Sequence, residues 1–288
     1  MTIAAVLAAL GSAAAFAVAS VFEQRAAKRE RTARPLDPRL VLRLMHQPIW
    51  LLAWIPEAAG TALQGVALHF GPLVLVEPLL VSNLFLAIPL AAALDRRRVD
   101  RSDFAVVTLG GAGLAAFLIA ADPRTGLSEP SVTGWLGVGL WAGPILAACL
   151  VGGWCARDAP RGALLGIATG LLYGTGASLL KALTAQLSTD PLGVLSRGEV
   201  YALVIVGVGA VTLNQNAFQS GRIAVPLTAI TIVDPAASVA IGVTAFHERL
   251  STDGVRLAVQ AAAVLAMAGA IAFASASHPH VHRDPAQR

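Results

Sequence analysis

Residues 71–94 read GPLVLVEPLLVSNLFLAIPLAAAL, an apolar run with one ionisable side chain, Glu77. A helix needs about 20 apolar residues to cross a hydrocarbon core of about 30 Å, so this stretch alone is long enough to span a membrane. Similar runs recur on both sides of it. Nine candidate spans result, at 2–22, 48–69, 71–94, 103–121, 132–154, 162–187, 199–219, 222–246 and 255–276. With 56% hydrophobic and 13% charged residues, the 288-residue chain leaves no room for a sizeable soluble domain. Runs this long exclude barrel strands of about 10 residues, and backbone in lipid must satisfy its own hydrogen bonds. The expected fold is an all-α polytopic membrane protein.

Ala17-Val18-Ala19 resembles a signal-peptidase site, but no basic residue precedes the first apolar run and the charge follows it. That order is the reverse of a secretory signal, so the run is expected to be a span. The net charge of +4 is likewise a matter of location. Alternate loops starting with 23–47 hold sixteen of the 21 Lys and Arg residues, and the opposite set holds four: Arg124, Arg197, Arg249 and Arg256. Basic loops stay cytoplasmic, which predicts a plasma-membrane protein with its N-terminus outside and its C-terminus in the cytoplasm. No nucleic-acid partner is implied.

Segment 23–47 carries Arg25, Lys28, Arg29, Arg31, Arg34, Arg39 and Arg43 and is expected to be a solvated linker drawn to anionic lipid heads. An interfacial helix over 36–46 is the other reading. The polar tail 278–288 is expected to be disordered. Its alternating His278, His280 and His282 are more simply incidental than metal-binding. Cys149 and Cys155 lie six apart, on different faces of one helix, and imply neither a disulfide framework nor a metal knuckle.

Two stretches of the chain look alike. Residues 62–71 read ALQGVALHFG and residues 212–221 read TLNQNAFQSG. Leu63, Ala67 and Gly71 recur at an offset of 150 as Leu213, Ala217 and Gly221, and Gln64 corresponds to Asn214. Each stretch leads into a span with an acidic–proline step, Glu77-Pro78 or Asp234-Pro235, and each of those spans ends in charge, Asp95-Arg96-Arg97 or Glu248-Arg249. Earlier, Ala19-Ser20-Val21-Phe22 before Glu23 resembles Ala177-Ser178-Leu179-Leu180 before Lys181. The expected organisation is a first repeat over 1–122, a linker helix over 123–158 and a second repeat over 159–277. Four helices and one linker make an odd number, so the second repeat enters the membrane from the opposite side. Inverted repeats characterise alternating-access transporters, whose site lies at the repeat interface near the midplane.

These residues resemble the drug/metabolite transporter superfamily, which includes EamA-domain permeases and NIPA-type magnesium transporters. Gly71-Pro72-Leu73-Val74-Leu75-Val76-Glu77-Pro78-Leu79-Leu80, and Ala217 to Gly221 through Pro226 and Asp234-Pro235 to Glu248-Arg249-Leu250, carry the resemblance. The Glu-Arg-Leu ending looks like the close of an EamA repeat; the first repeat lacks it, ending Leu94-Asp95-Arg96. The Gly-Pro-Leu-Val stretch and nine spans look closer to the NIPA-type branch. The resemblance implies a permease for a small metabolite or Mg²⁺.

Ionisable side chains at membrane depth are costly unless paired or hydrated. Glu57, Glu77, Lys181 and Asp234 are therefore the candidate substrate or ion ligands. Pro78 and Pro235 each remove an N–H and free a carbonyl a turn earlier, and broken helices of this kind supply oxygens to cation sites. In one mechanism Glu77 and Asp234 hold a cation, with Mg²⁺ suited to two carboxylates, carbonyls and retained waters. In the other, one carboxylate carries a coupling proton and Lys181 faces an organic anion or zwitterion. The plain alternative pairs Lys181 with Glu57, Glu77 or Asp234. Trp50, Trp54 and Pro56 place Glu57 nearer an interface.

Gln64, Asn83, Asn214, Gln215 and Asn216 either hydrogen-bond a polar solute or serve as interhelical glue. The glycines at 170, 174 and 176 around Tyr173, and those at 110, 111 and 113, read as close helix packing, with no strand ahead of them to form a nucleotide loop. His69 and His247 read as interfacial. No ATP-binding loop and no enzymatic constellation such as His-Glu-x-x-His occurs, so neither an enzyme nor a cofactor is expected. The rival classes are an integral-membrane enzyme and a non-transporting scaffold. Glycine-rich faces leave both a monomer and a homodimer open.

Overall fold

The computed structural model describes residues 3–29, 48–94, 101–218 and 224–277. Among these the chain folds into ten α-helices: α1 (Ile3–Arg29), α2 (Pro48–Phe70), α3 (Leu73–Leu80), α4 (Ser82–Leu94), α5 (Arg101–Ala121), α6 (Val132–Cys155), α7 (Asp158–Thr189), α8 (Gly198–Phe218), α9 (Ala224–Thr244) and α10 (Gly254–Ser277). A 3₁₀ turn, Gly193–Ser196, joins α7 to α8.

Taking α3 and α4 as one interrupted span, Leu73–Leu94, eight segments among the described residues are long and apolar enough to cross a membrane. The run expected at 48–69 forms α2, a helix of 23 residues with Pro56 inside it. The outer faces are apolar: Leu140, Trp154, Ile205 and Val255 are more than two-thirds exposed, as befits side chains meeting lipid tails. The chain is a multi-pass membrane protein. The possible helix at 36–46, the charge at 95–97 and the histidines of the tail lie outside the described residues.

The two acidic–proline steps behave differently. The helix carrying Glu77 ends at Leu80, two residues past Pro78, and restarts at Ser82. The break expected at Pro235 does not occur: α9 runs unbroken from Ala224 to Thr244. Helix α7 splints it. A Cβ on Gly170 would sit 3.0 Å from the Asp234 amide nitrogen, and one on Gly174 would sit 2.9 Å from the Asp234 carbonyl oxygen. Only glycine lets the two backbones approach this closely, a packing typical of membrane helices, and it braces α9 on both sides of the proline.

Helix α1 packs on α2, α3 and α4, while α7 packs on α8 and α9. Across the middle, α3 meets α9 and α5 meets α10. Helix α3 lies at the centre with all eight of its residues buried. One end of the bundle is closed by a clasp. There the loop after α5 pairs with the segment after α9: Arg124 and Arg249 exchange N–H···O bonds of 2.9 and 3.2 Å, and the Ser251 N–H donates to the Ala121 carbonyl at 2.8 Å. Gln260 of α10 adds bonds from its side-chain amide to the carbonyls of Ala120 and Ser251. Asp122 and His247, both in this clasp, take left-handed backbone angles, φ 42° and 54°. Asp and His tolerate that region better than most residues.

Candidate functional site

A helix begins with four amide N–H groups that lack partners in the helix. In α3 these belong to Leu73, Val74, Leu75 and Val76. Pro72 supplies no side-chain cap, but its carbonyl accepts from Leu75 and Val76 at 3.0 and 3.1 Å. The remaining two are met by a residue from the far end of the chain. Leu73 donates to Oε1 of Glu248 at 2.8 Å and Val74 to Oε2 at 2.9 Å. A carboxylate there also faces the positive end of the helix dipole. Glu248 fits because residue 242 is glycine; a Cβ would lie 2.6 Å from Oε2.

Lys181, projecting from α7, pairs with the same carboxylate. Its Nζ lies 4.6 Å from the centre of the Phe246 ring, a cation–π contact, and that ring stands edge-on to Trp135. Lys181 and Glu248 are 6% and 2% exposed. A cavity of about 140 Å³ adjoins Lys181 from the clasp end, lined by Leu68, His69, Gly126, Leu127 and Ser128. The pair therefore belongs to that end of the bundle rather than its middle.

One turn further along α3, Glu77 is 4% exposed. The Gln64 side-chain amide on α2 donates to Glu77 Oε1 at 3.0 Å. Gly71 makes the tight α2–α3 turn possible: a Cβ on it would lie 2.7 Å from the Cβ of Ala5. Asp234, on α9, comes within electrostatic reach of Glu77, and its Oδ1 is buried without a hydrogen-bond partner. Among the described residues no Lys, Arg or His pairs with either carboxylate. Nor does any group of three or more His, Cys, Asp or Glu residues among them gather as a metal site. The oxygen donors here are the two carboxylates.

The structure thus brings Gln64, Glu77 and Asp234 together and sets Lys181 apart from them, on a partner that hydropathy and spacing had marked only as the charged end of a span. Asn214 does not repeat the Gln64 contact; its Oδ1 is buried without a partner. The reason is register. The amides correspond at an offset of 150, whereas Glu77 and Asp234 differ by 157, and seven residues are about two helical turns, or roughly 10 Å. Asn216 bonds to the Thr212 carbonyl of its own helix at 2.8 Å, and Gln215 is exposed. Glu57 is half-buried on α2, and its carbonyl accepts from the Thr61 hydroxyl at 3.1 Å. Glu248 is the buried charge that residue order did not single out. A lone lysine in a span requires an acid, and the nearest acid after the α9 apolar run was the signal to follow.

No family model matches the chain, and no solved structure matches it. An uncharacterised protein of Corynebacterium glutamicum is similar, 27% identical over 250 residues that cover 85% of each chain.

Proposed function

We propose that the protein is a secondary-active or facilitative transporter of the drug/metabolite type, moving a cation or small polar solute by alternating access. The observation that carries the reading is the Glu77–Asp234 pair. Two carboxylates at span depth, one from each half of the chain, lie within electrostatic reach of each other with one amide donor and no basic partner among the described residues. Such an arrangement is unfavourable unless a proton or a cation joins it. Lys181 is occupied by Glu248, which favours the cation reading over one in which lysine grips an organic anion.

Helix pairing supports two inverted repeats. The set α1 with α2 and α3/α4 corresponds to α7 with α8 and α9. The α4–α5 contact corresponds to α9–α10, and α3–α9 and α5–α10 join equivalent helices across the centre. In this arrangement α6 is the linker and the carboxylates lie between the halves. The basic loops put the N-terminus outside, the C-terminus in the cytoplasm and the clasp on the outer face.

Proteoliposomes with an internal Mg²⁺ indicator, and separately an internal pH dye, test the reading. Wild type is expected to carry Mg²⁺ or protons inward, and Glu77→Gln and Asp234→Asn to fall to the level of empty vesicles while remaining folded. Flux that survives both substitutions would remove the carboxylates from the transport path. Proton movement without Mg²⁺ would assign the pair to coupling and the cargo to a small organic solute.

A further inference from the structure

Glu248 touches three things at once: the first two amides of α3, the ammonium of Lys181 on α7, and the turn that ends α9. Its own N–H donates to the Gly242 carbonyl at 2.9 Å, which fixes the carboxylate relative to α9. The helix it holds is only eight residues long, and Glu77 is the fifth of them. At the other end α3 stops at Leu80, and the chain passes through Val81 into α4. The N-terminus of α3, one turn from Glu77, is gripped by the same chain segment that carries Asp234.

We infer that Glu248 is a positioning residue for the Glu77–Asp234 site, acting through the α3 N-terminus, with Lys181 as its charge partner. The inference rests on the transport reading above. It assigns distinct tasks to the two sets of buried charge: one moves or holds the cation, and the other sets the distance between the carboxylates that do so. A capping carboxylate accepts two amides with two oxygens, a geometry that glutamine reproduces with only one acceptor. Lysine contributes charge, whereas the two hydrogen bonds to the α3 N-terminus come from Glu248.

The test reads the carboxylates directly, without knowledge of the cargo. Dicyclohexylcarbodiimide forms an N-acylurea with a protonated carboxyl in an apolar setting, and mass spectrometry of the full-length protein in detergent gives the labelled fraction at Glu77 and Asp234 across a pH series. Glu77→Gln and Asp234→Asn controls assign the sites. Lys181→Met/Glu248→Gln removes both charges together and so retains the fold better than either single change. The expected result is a displaced labelling profile at Glu77 in this double variant and in Glu248→Gln, a wild-type profile in Lys181→Met, and partial recovery in Glu248→Asp. A folded double variant with the wild-type profile would overturn the positioning role while leaving the carboxylate site standing. Wild-type protein in which neither Glu77 nor Asp234 labels at any pH would overturn both.

Discussion

Two sets of charge are buried in this bundle, and their difference is chemical rather than positional. Around Glu248 every charge has an answer: two amides, an ammonium, and an aromatic face behind that ammonium. Around Glu77 and Asp234 the only donor among the described residues is Gln64, and Oδ1 of Asp234 is buried without one. A satisfied network rigidifies a fold, whereas an unsatisfied one costs stability and persists where something else completes it. Charge in a membrane span is thus not one signal but two. Partner counting separates the structural set from the working set.

The sharpest way to break this contrast is to remove one member of the satisfied set. Either Lys181→Met or Glu248→Gln is expected to cost about 3–5 kcal/mol, because the remaining charge stays buried without its ion-pair partner. The double variant should recover most of the Lys181→Met loss, leaving mainly the cost of the weakened α3 cap. Unfolding by titration with dodecyl sulfate in mixed micelles measures all three, and equal losses in single and double variants would show that the pair carries no coupling. Gly174→Ala comes next. Its methyl would press on the α9 backbone beside Asp234, and overpacking of this kind costs about 1–3 kcal/mol. The same titration reads it; an unchanged midpoint would mean that α7 does not brace α9.

Gln64→Leu tests the other set from its donor side. Loss of one hydrogen bond to Glu77 is expected to cost about 1 kcal/mol. That is far less than the loss at Lys181, even though Glu77 is just as deeply buried. If Gln64→Leu proved as damaging as Glu248→Gln, Glu77 would belong with the structural charges, and the division between the two sets would fail.

Much of this was legible in residue order, and the remainder was hidden for identifiable reasons. Hydropathy located eight spans because crossing a membrane demands length and apolarity together, properties that need no tertiary context. It placed α2 too, a helix of 23 residues with Pro56 inside it. It also missed that α1 continues to Arg29, past the apolar run, because backbone bonding does not stop where lipid does. The prolines flagged weak points, yet tertiary packing decided which one broke: α9 lies with its backbone against the glycine face of α7 on both sides of Pro235. Gln64 and Glu77 are 13 residues apart across a tight turn and were each singled out. The Lys181–Glu248 pair spans 67 residues and depends on where two helices end. Beside Arg249 the acid read as loop charge.

The smallest expected effect is also the most discriminating. A residue kept for structure destabilises when its charge is removed; one kept for function does the reverse, because its site is strained in the absence of cargo. Glu77→Gln keeps shape and an acceptor for Gln64 while abolishing one of two opposed carboxylates. Its midpoint in the dodecyl sulfate titration at neutral pH is expected to match or exceed that of wild type, with a gain of up to about 1 kcal/mol, although flux is lost. Asp234→Asn should behave alike, and the double substitution should add little, since removing either charge already ends the repulsion. A fall of several kcal/mol in Glu77→Gln would instead show that the ionised carboxylate is an integral part of the packing. The contrast with Glu248 would then reduce to the difference between two caps.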